Sequence, residues 1–207
     1  MATQEAKKLG RRPKDPKVVL DALEALLTDV PLHELNVENI LDAANISRAT
    51  FYLHFATKYA AASALFERVV GEIAGAMSAF VDRPDSTPVL EALRTGIDDS
   101  TAAWFQHRTI LETAVQNAHV VPEFDRNLRD MKAAFADMIA VEINRERAAG
   151  LAPAGRDAVP LSAALVECTL HLLYTSGLSD TDSIPGPDGI GDVIYDIWCG
   201  TVYRVAG

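Results

Sequence analysis

Between residues 37 and 53 the chain leaves only Asn45, Ile46 and Ser47 in which to turn between two short helical segments. A reversal that tight needs a residue with φ > 0, and asparagine accepts that conformation most readily after glycine. Ser47 is placed to cap the segment that follows, and Asn36 the segment before, because each side-chain oxygen accepts from the free N–H groups of a first helical turn. The stretch from Asn45 to Lys58 reads "NISRATFYLHFATK". Phe51 and Phe55 lie four residues apart and share one face, expected to close a small core on Leu26, Ile40 and Ile46. Arg48, Ala49, Thr50 and Tyr52 then point elsewhere, with Leu53, His54 and Lys58 near the end. Two short helices joined this way form a helix-turn-helix. Its second helix carries groups suited to a DNA groove. Arg48 fits a base edge or phosphate, Ala49 a thymine methyl, and the hydroxyls of Thr50 and Tyr52 a phosphate. Lys58 opens the next helix, where an ammonium and free N–H groups both favour a phosphate, and the capping residues Asn36 and Ser47 are expected at the same DNA-binding surface.

Charge distribution supports this reading, although the net charge of −10 taken alone argues against a nucleic-acid partner. Residues 1–60 hold eight basic and eight acidic side chains; residues 61–207 hold eleven and twenty-one. The acidity therefore belongs to the second part of the chain. Lys7, Lys8, Arg11, Arg12, Lys14 and Lys17 face a single acid, Asp15, and fields decay over about 8 Å at physiological salt, so the local balance governs. Residues 1–16 read as a flexible basic arm, with Arg11, Arg12 and Lys14 available to phosphates.

Strand-like alternation is absent, and the chain reads as all-α with about nine helices. Val19, Leu23, Leu26 and Leu27 mark a helix over 17–29, stopped by Pro31. Val37, Ile40, Leu41 and Ala44 form the inner face of the next, and residues 48–53 the third. Lys58 opens a long helix, with Leu65, Val69, Ile73 and Met77 inside, that runs until just before Pro84. Further helices are expected from Val89 to about Phe105, His107 to Asn117, Pro122 to Ala149, Leu161 to Ser176 and Gly189 to Val205. This gives an arm (1–16), a helix-turn-helix domain (17–60) and a second helical domain (61–207).

The second domain carries apolar stripes. Leu93, Ile97, Ser100 and Trp104 share one face; Leu128, Met131, Phe135, Met138, Ile139 and Glu142 another; Val166, Thr169, Leu170, Leu173 and Tyr174 a third. Spacing alone leaves core and pocket both open, with core favoured. Glu142 is the odd member, suited to a cationic ligand or to reaching solvent. The helix of 161–176 is apolar also through Leu165, Cys168 and Leu172, and a helix apolar on nearly every side must be covered on every side. A second copy of the chain is the simplest cover. The last helix repeats the pattern through Val193, Ile197, Trp198, Thr201 and Val202, so these two helices are expected to form a four-helix bundle in a homodimer. Glu167 and His171, four apart, suit a surface pair.

"ISRATFYLHFATK" closely resembles the signature of the TetR family of transcriptional regulators, which spans the recognition helix and the start of helix four. "RTGI" at 94–97, "INRERAAGLAP" at 143–153 and "DIWCGTVY" at 196–203 are similar to a group within it, the mycobacterial repressors of ethionamide activation. The resemblance implies that Arg48 and Ala49 read bases while Thr50, Tyr52, His54 and Lys58 mostly hold phosphates of a double-stranded operator. It implies the same dimer interface, and it turns the stripes, with Trp198, into a pocket for a small apolar ligand. Asn45 departs from the glycine usual in the family, and Glu38 sets a carboxylate where phosphates approach. It is expected either to weaken binding there or to face away.

The function expected is a cytoplasmic, ligand-responsive repressor that binds a palindromic operator as a dimer. The alternatives are an activator, or a ligand sensor whose head binds a protein. No Ser/His/Asp order, paired carboxylate motif, metal spacing or cofactor motif points to an enzyme. His107 and His119 read as exposed, and Cys168 and Cys199 as buried thiols in a reducing compartment. The first residues lack the apolar run of a signal peptide, and no stretch of about 18 uncharged apolar residues is found to span a membrane.

Overall fold

Asp15 starts the first helix: its side chain accepts from the backbone N–H of Lys17, and Pro16 fills a first-turn position that needs no N–H donor. The structure is a computed structural model that describes residues 15–84, 86–178 and 183–204. The basic arm, with Arg11, Arg12 and Lys14, lies outside the described residues. Among those described there are ten α-helices, one π-helical turn and no strand. The chain divides into two compact units, Met1–Leu65 and Phe66–Gly207.

The first unit holds α1 (Pro16–Leu27), α2 (Val37–Ala44), α3 (Arg48–His54) and the start of α4 (Lys58–Ala76). Asn36 and Asn39 close a reciprocal capping box, each backbone N–H donating to the other's side-chain oxygen at 2.9 and 3.0 Å. Asn45 sits at φ 48, ψ 55, in the left-handed region that the turn demands. Ser47 then caps α3, accepting from Thr50 N–H at 3.1 Å. Phe51 is fully buried and Phe55 nearly so, their ring centroids 5.9 Å apart. The rest of this core includes Val19, Leu20, Leu23, Leu27, Leu32, Leu35, Ile40 and Ala44. Leu26 and Ile46 are only half-buried; α1 presents Leu27 inward in place of Leu26.

The second unit adds α5 (Ser78–Val81), α6 (Val89–Gln106), α7 (Arg108–Asn117), α8 (Pro122–Ala148), α9 (Ala158–Ser176) and α10 (Ile190–Trp198), then the π-helical turn Cys199–Tyr203. The long helix expected to run unbroken towards Pro84 stops instead at Ala76. Met77 N–H bonds back to Ala74 rather than one residue further. The bend turns Met77 and Phe80 onto Gly96 of α6, where an added Cβ would stand 3.2 Å from the Phe80 Cβ. Close approach at a glycine thus decides where the helix breaks.

α8 packs along α9, and α10 lies against both α6 and α9. α8 ends on Gly150 at φ 74, which lets Leu151 N–H return to Glu146. α9 begins at Ala158, three residues before the expected start. Asp157 caps it, and Pro160 falls in the first turn, where a missing N–H costs nothing. α10 ends at Trp198 rather than continuing to Val205.

Three further expectations are corrected. Cys168 is exposed, while Cys199 is buried. His107 is mostly buried, with Nε2 3.0 Å from Glu72 Oε2. α9 is long and apolar enough by composition to cross a membrane but carries a charge, so no uncharged stretch of that length is found in it, and 28% of its most apolar window is buried within the chain. Its one carboxylate, Glu167, pairs at 2.9 Å with Lys132 of α8 rather than with His171.

The left-handed turn generates a stability prediction. A β-branched residue avoids positive φ, at a penalty of about 1–2 kcal/mol. Asn45→Val should lower the stability of the first unit by about that amount, and Asn45→Gly should not. Far-UV circular dichroism during urea unfolding would register the change. Fluorescence from Trp104 and Trp198, both in the second unit, should be far less affected.

Candidate functional site

α3 has two unlike faces. Phe51 and Phe55 hold one against the core, while Arg48, Ala49, Tyr52 and Leu53 stand in solvent, Tyr52 at 47% and Leu53 at 65% exposure. The Tyr52 ring rests edge-on against Phe51, centroids 5.4 Å apart, and its hydroxyl forms no hydrogen bond among the described residues. His54 is half-buried beside Phe55. This places an arginine, a methyl and a phenol on the exposed side of one short, anchored helix.

Several residues expected at the same surface have structural partners. Ser47 Oγ lies 2.8 Å from Thr50 Oγ1 and caps α3. Asn36 caps α2. Lys58 departs most from expectation: its Nζ donates to the carbonyls of His33 at 3.0 Å and Leu35 at 2.5 Å. Burial lowers its pKa from the ordinary value. The ammonium ties the loop before α2 to the start of α4 instead of standing free. Glu38 does not simply face away, for its carboxylate pairs with Arg48 across the helix-turn-helix. Both side chains are more than half exposed, so the pair contributes little to stability but sets where the guanidinium rests.

The second unit contains an apolar cavity of about 70 Å³. Ile97, Ser100 and Trp104 of α6, Phe135 and Ile139 of α8, Val166, Thr169, Leu170 and Leu173 of α9, and Trp198 line it as expected. Ile73 of α4, Met77 just after it, Thr101, Met131 and Ile194 complete it. No described lining residue is ionisable. Trp198 Nε1 donates to Thr169 Oγ1 at 3.0 Å, and Ser100 Oγ donates to the Ile97 carbonyl at 3.1 Å. The Trp198 indole and the Ser100 hydroxyl thus have partners within the chain.

The sequence stripes were wider than the cavity. Leu93 is buried elsewhere, and Leu128, Met138 and Tyr174 are half-buried away from the lining. Residues 131, 135 and 139 form the single row of α8 that reaches it; 128 and 138 fall to the side. Met131 shared their stripe, and Ile73 and Met77 were legible only as the inner face of α4. Nothing in the sequence set the α4 residues opposite α6.

Glu142 belongs to a separate buried cluster. It pairs with Arg145 at 2.7 Å, while Glu146 pairs with Arg83 at 2.6 Å. Burial, then the neighbouring Glu146 carboxylate, push Glu142 up to about 7 against the opposing pull of Arg83, with Asp82 adding a further rise. Burial also pushes the Tyr203 phenol up. The carboxylate balances arginines and binds no ligand in the cavity.

Of the residues expected at a dimer interface, Leu165 is 3% exposed and buried within its own subunit. Cys168 and Thr201 are exposed; Leu172, Val193 and Ile197 are half-buried. Among the described residues no group of His, Cys, Asp and Glu is placed to hold a metal.

Two family descriptions match the chain. Residues 19–68 match "Bacterial regulatory proteins, tetR family", and residues 93–204 match "Transcriptional regulator EthR, C-terminal domain". The HTH-type transcriptional regulator EthR of Mycobacterium tuberculosis is 27% identical over 208 residues, covering 98% of this chain and 96% of that one. EthR of Mycolicibacterium smegmatis is 25% identical over 212 residues, covering 98% and 95%. Among solved structures, SmeT in complex with triclosan superposes with a TM-score of 0.73 at 18% identity, covering 93% of this chain and 95% of that one. SmeT is the repressor of a Stenotrophomonas maltophilia multidrug efflux pump. These relatives are transcription regulators, not enzymes.

The Glu142 cluster generates a pH prediction. In the unfolded chain its carboxyl ionises near 4.5, and in the folded chain at about 7. Between those values the folded state keeps a proton that the unfolded state has lost. This contribution is fully present below about 4.5 and is lost as pH rises through about 7. Glu142→Gln cannot ionise. Its unfolding midpoints at about pH 5 and about pH 8 should lie closer together than those of the wild type.

Proposed function

The chain belongs to the TetR family of DNA-binding transcriptional regulators, with an EthR-type C-terminal domain, and from that premise we propose that it is a cytoplasmic repressor that grips a palindromic operator as a homodimer and lets go when a small apolar molecule enters its cavity. The observation that carries this reading is the division of α3, whose buried aromatics leave Arg48, Ala49 and Tyr52 facing outward. Arg48 and Ala49 read base edges; Tyr52, Thr50 and His54 contact phosphates. Lys58, Ser47 and Asn36 act mainly by holding the helices that present them, with spare donor protons available to phosphate. Arg11, Arg12 and Lys14 add contacts from the arm.

The dimer pairs α9 and α10 of one subunit with those of its partner through Cys168, Leu172, Val193, Ile197 and Thr201. Support comes from the small share of α9 that is buried within its own chain. Twofold pairing sets two recognition helices roughly 34 Å apart, one turn of DNA.

A cavity of about 70 Å³ holds roughly two water volumes, far below the several hundred Å³ of ordinary ligand sites. A ligand must therefore spread its walls. Met77, Met131 and the ends of α4 and α8 are the adaptable parts. Because Ile73 belongs to α4 and Met77 directly follows its last residue, and the first turn of α4 carries Lys58, the expansion acts on the helix that enters the reading head. A hundredfold loss of operator affinity requires about 2.7 kcal/mol of preference for the expanded state.

Two expectations follow. Arg48→Ala should lose about 1–3 kcal/mol of discrimination at one base pair per half-site, whereas Tyr52→Phe should weaken all duplexes alike. Anisotropy titrations on operator and scrambled DNA separate them, and a dimer neutralising about eight phosphates should show a log–log salt slope of about −7. A flat salt response would sink the groove assignment. In the cavity, Leu170→Trp should act as a built-in ligand, lowering operator affinity at least about tenfold and removing the response to added apolar compounds. Overpacking of this kind costs about 1–3 kcal/mol. Unchanged operator binding by a folded Leu170→Trp protein would argue against release by cavity expansion.

A further inference from the structure

Where α8 ends, the second unit has another cavity, of opposite character. Its volume is about 240 Å³, and its walls include Arg147 of α8, Gly155 and Arg156 of the connection to α9, Leu161 of α9, and Thr201 and Arg204 around the π-helical turn. Three arginines therefore line it, and no described lining residue is acidic. In a chain of net charge −10 this is a local reversal of sign. Among the described residues, none of the three arginines pairs with a carboxylate.

The arrangement is built rather than a chance meeting of surface side chains. Arg147 Nη1 donates to the Arg156 carbonyl at 2.7 Å, which fixes the guanidinium and folds the connection around it. Its Nε is buried with no hydrogen-bond partner. The point where a Gly155 Cβ would stand is 3.0 Å from Arg147 Nη2 and 3.5 Å from Arg204 Nη2. Two cations from different elements thus flank one small space that a glycine keeps open. Arg204 reaches it from a backbone at φ 57, a conformation unusual for any residue but glycine. Like charges so placed repel unless an anion lies between them. Guanidinium forks match phosphate oxygens in geometry and charge, and the Thr201 hydroxyl is a further donor at the rim. The space corresponds to about eight water volumes, enough for one or two phosphates with a small substituent.

We propose that this cleft is a second ligand site, distinct from the apolar cavity, that takes a compact anion bearing a phosphate or diphosphate group. The protein then responds to two ligands of unlike chemistry, one neutral and apolar, one charged.

The test is calorimetric titration of the full chain, without DNA, using inorganic phosphate, inorganic pyrophosphate and succinate at ionic strength held constant with sodium chloride. Saturable binding of pyrophosphate at one site per chain is expected, tighter than succinate. Arg204→Gln should weaken it at least tenfold, and Gly155→Ala, which leaves the charge unchanged, severalfold. Arg126→Gln, outside the cleft, should leave it unchanged. Arg147→Gln removes a hydrogen bond of the fold; Arg204 makes none among the described residues, so Arg204→Gln decides if the first variant unfolds. No saturable heat with wild type, equal loss in Arg204→Gln and Arg126→Gln, or succinate binding as tightly as pyrophosphate would each overturn the proposal. Sedimentation adds one more overturning result: dimer loss in Arg204→Gln, with no anion bound by wild type, would give the cleft to a carboxylate of the partner subunit. Because no DNA is present, failure here leaves the operator reading untouched.

Discussion

α3 is seven residues long, too short to persist alone in water, where nucleation outweighs the few hydrogen bonds that such a helix closes. What holds it is the burial of Phe51, with Phe55 beside it, in a core supplied by α1, α2 and the loop between them. Every outward group on α3 inherits its position from that anchor. The turn at Asn45 sets the direction from which the helix arrives, and Ser47 fixes its first residues by supplying an acceptor. Reading and holding are divided by residue within a single turn: the aromatic that faces in makes possible the arginine and phenol that face out.

The same economy explains why several polar residues of the head have two roles. A helix this short has at least as many backbone groups without a partner inside the helix as with one, so the hydroxyl and amide side chains near its ends are drawn into capping before any partner arrives. Ser47, Thr50, Asn36 and Asn39 are all engaged in this way. Lys58 extends the principle to carbonyls, closing the loop of His33 and Leu35 with its ammonium. Glu38 offers an anion to the Arg48 guanidinium in water, the part that a phosphate would take in the proposed DNA complex. Such an exposed pair is weak and exchanges readily for a better partner. It keeps the arginine near the recognition face without trapping it there.

Legibility in the sequence followed the range of the interaction. The left-handed turn, the caps, the proline stops and the inner faces of α1 to α3 depend on neighbours within a few residues, and spacing disclosed them. The break at Met77 did not show, because it depends on Gly96 lying opposite, a contact between elements. Cavity membership was partly legible for the same reason. The rows of α6, α8 and α9 could be read as apolar, but which residues of a wide stripe reach the space depends on the angle at which α8 crosses α9. Hence Phe135 and Ile139 were found while Leu128 and Met138 were misplaced. Glu142 misled because a carboxylate in an apolar row looks like a ligand contact: its partner Arg145 is only three residues on, but the cluster that buries it also takes in Arg83, paired with Glu146 and far away in sequence. Leu165 misled in the opposite sense: a surplus apolar face need not meet a partner if the chain's own helices cover it.

The α9 helix brings these threads together. Composition alone permits three environments for it: a bilayer, a core, or an interface. A bilayer is disfavoured by Glu167, whose pairing with Lys132 of α8 would set two charges in hydrocarbon. A core alone is disfavoured by the modest share of the helix that its own chain buries. An interface satisfies both observations, because the row containing Val166, Leu170 and Leu173 faces the cavity while Cys168 and its neighbours remain available to a second copy. One helix then serves as cavity wall and dimer surface at once. In the proposed dimer, any molecule that spreads the cavity pushes on a helix that the partner also holds, which would couple two subunits to each binding event.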